Sequence, residues 1–253
     1  MDQKQQFYQL LKSIEEPFSG WDFSFITETG RMNSSLLSWS YGSMAIPLVE
    51  TASSLLDMGT GGGEFLSKLR PFPQVCVATE GYKPNVSVAK QRLTPLGVTV
   101  VEIEEDAPLP FEDNQFAVIL NRHETYDPQE VKRVMKRGGL FLTQQVGGFD
   151  CIGINKALGV SEKGPYAHWN VIFSKEELER HGFTVLLAKE EFPHLRFYDV
   201  GALIYYLKAV SWQVPNFTVD AFKDQLYDIY LLIEEKGFFE VKQHRFIIKA
   251  TIN

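Results

Sequence analysis

The chain has 253 residues, of which 44% are hydrophobic and 23% charged, and its 25 basic and 32 acidic side chains give a formal net charge of −7. This composition is ordinary for a globular protein and excludes a long disordered tract, and the length allows one large α/β domain or two small ones, of which one domain with insertions is favoured. The acidic balance disfavours nucleic acid as a partner, although net charge alone leaves room for a local basic patch.

Residues 1–50 are predicted to form an N-terminal helical cap, with helices at about 7–14 and 34–41. From residue 53 onwards, strands and helices alternate. The predicted strands are 53–58, 75–80, 98–103, 116–121 and 139–146, and the predicted helices are 62–69, 84–93 and 127–136. Because alternating strands and helices form parallel sheets covered on both faces, this region is predicted to be Rossmann-like.

The pattern is less regular after residue 148. A helix is predicted at 174–181, capped by Ser174, followed by a strand at 184–189. A helical insertion at about 192–240, with helices at 200–210 and 219–235, precedes a final strand at 245–250. The predicted fold is therefore a seven-stranded, mostly parallel sheet over residues 51–253. The N-terminal cap and the insertion are predicted to form a lid.

The numbers and spacing of cysteines and histidines bear on disulfides, metal sites and the cellular compartment. Cys76 and Cys151 are too few for a disulfide framework or a cysteine zinc site, and the five histidines show no metal-ligand spacing. The polar N-terminus lacks the apolar core of a secretion signal, and no apolar run reaches membrane-spanning length. We therefore expect a cytoplasmic protein without a metal or a membrane contact.

The turn after the first predicted strand is the most informative segment. It reads Asp57-Met-Gly59-Thr-Gly61-Gly-Gly63-Glu64 and is predicted to enter a helix, whose free backbone N–H groups would suit a polar ligand. The dinucleotide fingerprint fails because its last glycine position falls on Glu64, and a P-loop fails because no lysine follows Gly63. A pyrophosphate at this turn is therefore disfavoured.

Two more acidic residues follow predicted strands. Glu80 ends the second strand and could accept two hydrogen bonds from a ribose diol. Asp106 lies just past the third strand and could accept from an exocyclic amine such as that of adenine. With Asp57 facing an ammonium group, these carboxylates suit a ligand that carries an amino acid at one end and adenosine at the other.

Over roughly residues 50–148, the chain resembles the class I methyltransferases that depend on S-adenosyl-L-methionine. The motifs that carry the resemblance are Leu-Asp57-Met-Gly-Thr-Gly-Gly-Gly-Glu, Ala-Thr-Glu80, Glu-Asp106-Ala-Pro-Leu-Pro-Phe-Glu-Asp and Met135-Lys-Arg-Gly-Gly-Leu-Phe-Leu. The resemblance implies that the cofactor-binding residues are Asp57, Gly59, Thr60, Gly61, Gly63, Glu80, Asp106, Ala107 and Asn121. It implies a ribose contact for Glu80, adenine contacts for Asp106 and Ala107, and a place beside the methionine portion for Asn121. The chain departs from the family at Ala117, where an acidic residue is usual.

The methyl acceptor is less well defined by the sequence. Methyl transfer from a sulfonium is an in-line displacement that requires alignment and exclusion of water, so no catalytic side chain is strictly needed. If a proton must be removed, His123 is the candidate general base, because it follows the fourth strand and its ordinary pKa lies near neutrality. A histidine that only packs a loop is the alternative. The candidate acceptor-pocket residues are Trp39, Tyr41, His168 and Trp169.

Three functions remain open at this stage. The first is methylation of a small molecule under the predicted lid. The second arises because the segment from Phe197 onwards loosely resembles the C-terminal part of a ribosomal RNA guanine methyltransferase, although this sequence has no counterpart to that family's N-terminal cysteine zinc module. The third is a protein that binds the cofactor without transferring a methyl group.

Overall fold

The computed structural model describes residues 3–12, 23–104, 108–161, 164 and 166–253. The elements in chain order are α1 (Gln3–Lys12), α2 (Ser24–Thr27), β1 (Met32–Ser34), α3 (Tyr41–Thr51), β2 (Ser54–Met58), β3 (Val75–Glu80), α4 (Lys83–Leu93), β4 (Thr99–Glu102), β5 (Phe116–Arg122), α5 (Pro128–Val134), β6 (Met135–Val146), α6 (Ile152–Ala157), α7 (Val171–Arg180), β7 (Thr184–Glu191), β8 (His194–Phe197), α8 (Val200–Ala209), α9 (Lys223–Lys236), β9 (Phe239–Lys242) and β10 (Arg245–Thr251).

The main sheet confirms the predicted Rossmann-like fold. Among the described residues it contains seven strands in the order β4-β3-β2-β5-β6-β10-β7. The pairs from β4 to β6 are parallel, and β10 is antiparallel to both β6 and β7. Within this sheet, β2 comes first in the chain, β3 and β4 are added on one side of it, and β5 is added on the other side. In open α/β sheets, ligands bind outside the carboxyl ends of the strands at such a reversal point.

The apolar runs of the central strands bury side chains on both faces of this sheet. Leu55, Leu120 and Leu142 belong to the core that also contains residues of α3 and α4. Their sequence neighbours Leu56, Ile119 and Phe141 belong to the core on the opposite face, together with residues of α5 and α7. Because both faces are covered, the strands read as nearly continuous apolar runs, which is why their positions were predictable.

The chain divides into two compact units. One comprises Met1–Leu37, Gly148–Ala167 and Phe192–His244, and the other comprises Ser38–Gly147, His168–Glu191 and Arg245–Asn253. Residues 38–50, which the sequence assigns to the N-terminal cap, therefore belong to the unit of the main sheet. The predicted role of the cap and of the 192–240 insertion as a lid stays a prediction.

The unit that comprises Met1–Leu37, Gly148–Ala167 and Phe192–His244 contains a small sheet that the sequence patterns did not predict. Within its described residues, three antiparallel strands pair in the order β1-β8-β9. Each strand has only 3 or 4 residues, too few to show a clear alternation of apolar and polar side chains. A separate apolar core, which includes Ile26, Leu203 and Ile204, belongs to this unit.

Two predicted helices are wrong. The segment 62–69 contains only a 3-10 turn at Leu66–Lys68, because three glycines precede it and Pro71 and Pro73 follow closely. The helix predicted at 34–41 instead begins at Tyr41. Its N-cap is Ser40, whose side chain accepts a hydrogen bond from a backbone N–H one turn further on.

Two further helix boundaries differ from the prediction. The helix predicted to end at residue 136 ends at Val134, because Met135 already pairs with β5 as the first residue of β6. The predicted cap Ser174 lies inside α7, where it is buried and hydrogen-bonded to a tyrosine hydroxyl. The actual cap is Asn170, whose Oδ1 accepts from the Phe173 N–H at 2.9 Å.

Candidate functional site

The glycine turn is held against the end of β3. Gly59, Gly61 and Gly63 have φ angles of +66°, +62° and +78°, a conformation that glycine adopts without the penalty of a side chain. The Gly59 N–H donates to Thr79 Oγ1 at 3.3 Å, and the Gly61 N–H donates to Glu80 Oε2 at 2.6 Å. These amides therefore donate to β3. The prediction that the turn enters a helix with free N-terminal amides is wrong.

Glu80 organises this end of the sheet. It is 5% exposed, and while Oε2 binds Gly61, Oε1 accepts from the Tyr82 N–H at 2.8 Å. Burial raises the pKa of Glu80, and the hydrogen bonds from Tyr82 and Gly61 oppose that rise. Each carboxylate oxygen keeps a second lone pair. The side chain can thus hold the turn and still accept hydrogen bonds from a ligand diol.

Asp57 is a buried acid beneath the turn. Burial raises the pKa of Asp57 to about 7, the Thr60 side chain and Arg122 lower it, and Glu80 raises it. A nearby cation favours the ionised form of such a group. This position at the end of β2 therefore suits the ammonium group that the sequence analysis assigned to it.

Glu124 covers the first glycine of the turn. A Cβ added to Gly59 would lie 2.5 Å from both Cβ and Cγ of Glu124. At Gly61, in contrast, no described atom lies within 4 Å of the corresponding position. The open space beside Gly61 is where a ligand can approach the turn. Sequence analysis did not assign Glu124, because its placement depends on the left-handed backbone of His123, with φ of +64°.

Asn121 carries a buried donor without a partner. Its Oδ1 accepts from Thr143 Oγ1 at 2.8 Å and from Gln145 Nε2 at 2.6 Å. Gln145 Nε2 also donates to the Glu124 carbonyl at 2.9 Å, and a carbonyl only accepts, so this contact fixes the orientation of both amides. Asn121 Nδ2 then has no hydrogen-bond partner within the described residues. Such a group costs about 1–3 kcal/mol, which a ligand that accepts its proton would recover.

His123 follows β5 and belongs to a hydrogen-bonded series with Trp39 and Gln144. Trp39 Nε1 donates to Gln144 Oε1 at 2.9 Å, and Gln144 Nε2 lies 3.1 Å from His123 Nε2. Packing of the ring against the protein and the charges of Arg245 and Arg122 lower the pKa of His123 below its ordinary value. The imidazole is therefore neutral at physiological pH and a weaker base than a free imidazole.

The four candidate acceptor-pocket residues are not brought together. Tyr41 is buried, and its hydroxyl accepts from the Asn121 N–H at 3.1 Å and faces the Leu142 carbonyl at 3.3 Å. Tyr41 and Trp39 lie on the α3 face of the sheet, whereas Trp169 packs on the opposite face. His168 is exposed, with its ring edge against Phe173 at 4.8 Å. This placement gives Tyr41 a structural role and connects Trp39 to His123 through Gln144.

The remaining predictions concern the adenine contacts, a metal site and a membrane-spanning helix. Asp106 and Ala107, the predicted adenine contacts, lie outside the described residues. In the part of the chain that the structure describes, no group of three histidine, cysteine, aspartate or glutamate side chains could hold a metal ion. Over the same residues, no helix is both long and apolar enough to cross a bilayer.

Gly59→Ala is expected to weaken binding of S-adenosylhomocysteine, the product form of the predicted cofactor, by about tenfold. The left-handed backbone costs about 1–2 kcal/mol for a residue with a Cβ, and the new methyl group would displace Glu124. Calorimetric titration measures the affinity. The control is Gly138→Ala, which has φ of +71° but no described atom near its Cβ position. Equal affinities of the two variants would contradict a ligand at the turn.

Comparison with known proteins agrees with this geometry. Residues 56–143 match the family model described as "Methyltransferase domain". Over 97 residues the chain is 31% identical to the "Uncharacterized methyltransferase YcgJ" of Bacillus subtilis, a segment that covers 35% of this chain and 38% of that relative. The matched segment thus spans well under half of the relative's length.

Solved structures match over more of the chain. The structure of YcgJ from Bacillus subtilis has a TM-score of 0.56 at 18% identity and covers 84% of this chain and 98% of that one. A functionally unknown protein from Deinococcus radiodurans R1 has a TM-score of 0.57 at 12% identity, and the match covers 99% of both chains. The [4+2]-cyclase SpnF has a TM-score of 0.53 at 14% identity, and the match covers 98% of this chain and 94% of that one. At such low identities, structural similarity shows the fold and does not show the activity.

Residues 56–143 therefore match a methyltransferase domain, and the chain shares the Rossmann-like fold of the solved structures that it resembles. Asp57, Glu80 and Asn121, which the sequence placed around the cofactor, lie at the carboxyl ends of β2, β3 and β5, where open α/β sheets bind their ligands.

Proposed function

We propose that the protein is an S-adenosyl-L-methionine-dependent methyltransferase that acts on a small-molecule acceptor by in-line methyl transfer. The observation that carries the proposal is the turn from Gly59 to Gly63, clamped by the Glu80 carboxylate at the reversal point of the sheet. The unpartnered Asn121 Nδ2 supports it, because this buried donor at the end of β5 has no hydrogen-bond partner among the described residues.

The residues present suit this cofactor. Bound there, S-adenosyl-L-methionine supplies a methyl group on a positively charged sulfur. Glu80 would accept hydrogen bonds from the ribose hydroxyls, and Asp57 would balance the charge of the amino group through the polar turn. The Nδ2–H of Asn121 would donate a hydrogen bond to the methionine portion. The catalytic contribution of the protein is then alignment and exclusion of water.

The net charge of −7 supports a small molecule over nucleic acid as the acceptor. A reducing, cytoplasmic location is part of the proposal and is supported by Cys76 and Cys151, which are both buried thiols. The [4+2]-cyclase activity of SpnF on the same fold makes a direct test of methyl transfer necessary.

A single-turnover assay with methyl-labelled S-adenosylmethionine tests the proposal. The full chain is incubated with fractionated metabolites in one arm and with ribosomal RNA in the other, after binding of S-adenosylhomocysteine has been measured by calorimetry. We expect binding, and label in a metabolite fraction. Label in RNA would show that the acceptor is RNA and not a small molecule. Binding without transfer would favour a protein that binds the cofactor without transferring a methyl group, and absence of binding would overturn the proposal.

A further inference from the structure

We propose that the methyl acceptor is an anion whose acidic oxygen is held by His123 Nδ1–H beside the Arg122 guanidinium. In this arrangement His123 is a hydrogen-bond donor that positions the acceptor and is not the general base that the sequence suggested. The inference rests on the proposed function and adds the chemical class of the acceptor to it. Its evidence comes from the hydrogen bonds of Trp39, Gln144 and His123.

The hydrogen bonds determine which nitrogen of His123 carries the proton. An indole N–H only donates, so the 2.9 Å contact with Trp39 directs Gln144 Oε1 towards Trp39 and Gln144 Nε2 towards the imidazole. An amide nitrogen also only donates, so His123 Nε2, at 3.1 Å, must accept. The proton of the neutral ring is therefore on Nδ1. A protonated ring would set two donors against each other.

The backbone fixes the same residue. The His123 N–H donates to the Gln144 carbonyl at 2.8 Å, so His123 is bound to Gln144 through both its main chain and its side chain. Over the described residues, Nδ1 has no hydrogen-bond partner, and the side chain is exposed. His123 thus offers one donor to a ligand. Its only basic nitrogen is already occupied by Gln144.

Two arginines lie close enough to His123 for their charges to act on it. Arg122 is exposed, and its guanidinium carbon lies 5.0 Å from the centre of the Phe65 ring, which holds its position. Arg245 opens β10, and the pKa of His123 responds to the charges of both arginines. The nearby acids are Glu124, which covers Gly59, Glu191, which lies opposite Arg245 in β7 and accepts from the Ser38 N–H at 3.1 Å, and the buried Asp57, whose pKa is lowered by the charge of Arg122. The exposed guanidinium of Arg122 favours an oxyanion and repels an ammonium group.

An anionic acceptor explains why the site needs no base. An ionised oxygen supplies its own lone pair to the methyl carbon, the new O–C bond forms as the C–S bond breaks, and that electron pair passes to sulfur. The acceptor loses its negative charge and the sulfonium its positive charge, so no proton has to be removed. The neutral, weakly basic His123 fits this reaction better than proton abstraction.

Nuclear magnetic resonance of the ¹⁵N-histidine-labelled full chain tests the proposal without the cofactor. Two-bond correlations report the tautomer, and a His123→Asn variant assigns the signals. We expect the Nδ1–H form from pH 5 to 8, and a shift of its signals on titration with acetate or benzoate but not with benzylamine. The Nε2–H form, a shift with benzylamine only, or no shift with either carboxylate would overturn the proposal.

Two variants separate positioning from mere packing. Gln144→Glu keeps an acceptor for Trp39 but removes the donor to His123, so the tautomer should reverse, the pKa of His123 should rise, and benzoate binding should be lost. Arg122→Met should weaken benzoate binding about tenfold, whereas Arg137→Met, the same change at the exposed beginning of β6, should not. Equal effects of the two arginine variants would contradict the anion site. Calorimetry with S-adenosylhomocysteine reports the proposed function separately.

Discussion

Replacement of Glu80 by alanine is expected to weaken S-adenosylhomocysteine binding by about 1–3 kcal/mol, or roughly 5- to 150-fold. The carboxylate would lose its charge-assisted hydrogen bonds to the ribose hydroxyls. It would also release the Gly61 N–H, which it holds at 2.6 Å, so the turn itself would become less well defined. Calorimetric titration measures the affinity, and urea unfolding shows how much of the effect is a loss of stability.

A matched control lies on the neighbouring strand. Glu102 ends β4 directly beside Glu80 in the parallel ladder, but it is exposed. Glu102→Ala should leave the affinity nearly unchanged, because surface substitutions away from a site change free energies by only about 0.5 kcal/mol. Glu80→Gln should lie between the two, since an amide keeps only one of the two acceptor oxygens. If Glu80→Ala and Glu102→Ala bind equally well, the ribose assignment is wrong.

The second large effect concerns stability and pH. Because burial raises the pKa of Asp57 to about 7 from its ordinary value of 3.8, the folded state holds a proton that the unfolded state releases. The stabilisation from this group is fully present below about pH 4, falls as the pH rises towards 7, and is absent above that. The difference in pKa corresponds to roughly 4 kcal/mol. Asp57→Asn removes this titration.

Urea unfolding of the wild type and of Asp57→Asn between pH 4 and 8 measures the effect. The free energy of unfolding of the variant, relative to wild type, should increase by up to about 4 kcal/mol across this range. Asp113→Asn is the control, since it makes the same change at an exposed aspartate that pairs with Arg133 at the surface. A constant difference between wild type and Asp57→Asn would show that the buried carboxyl does not titrate in this range.

The class of fold and the edge of the sheet that carries the site could be predicted from local sequence patterns. The strands around β2, β3 and β5 are apolar because both faces are covered, so their bounds could be read from local patterns. Parallel strands bring their carboxyl ends to one edge of a sheet. This rule places Asp57, Glu80 and Asn121 together without any knowledge of side-chain contacts.

Contacts between residues that are distant in the chain could not be predicted in this way, because they depend on how the elements pack together. Trp39 and Gln144 are 105 positions apart, and the hydrogen bond between them depends on the position of α3 on the sheet. The same holds for Glu124 over Gly59, which depends on one left-handed residue. Helical and strand periodicities report which face of its own element a residue occupies, whereas strand register and turn conformation decide what it contacts. The sequence could therefore indicate the cofactor, and the structure was needed to infer the acceptor's charge.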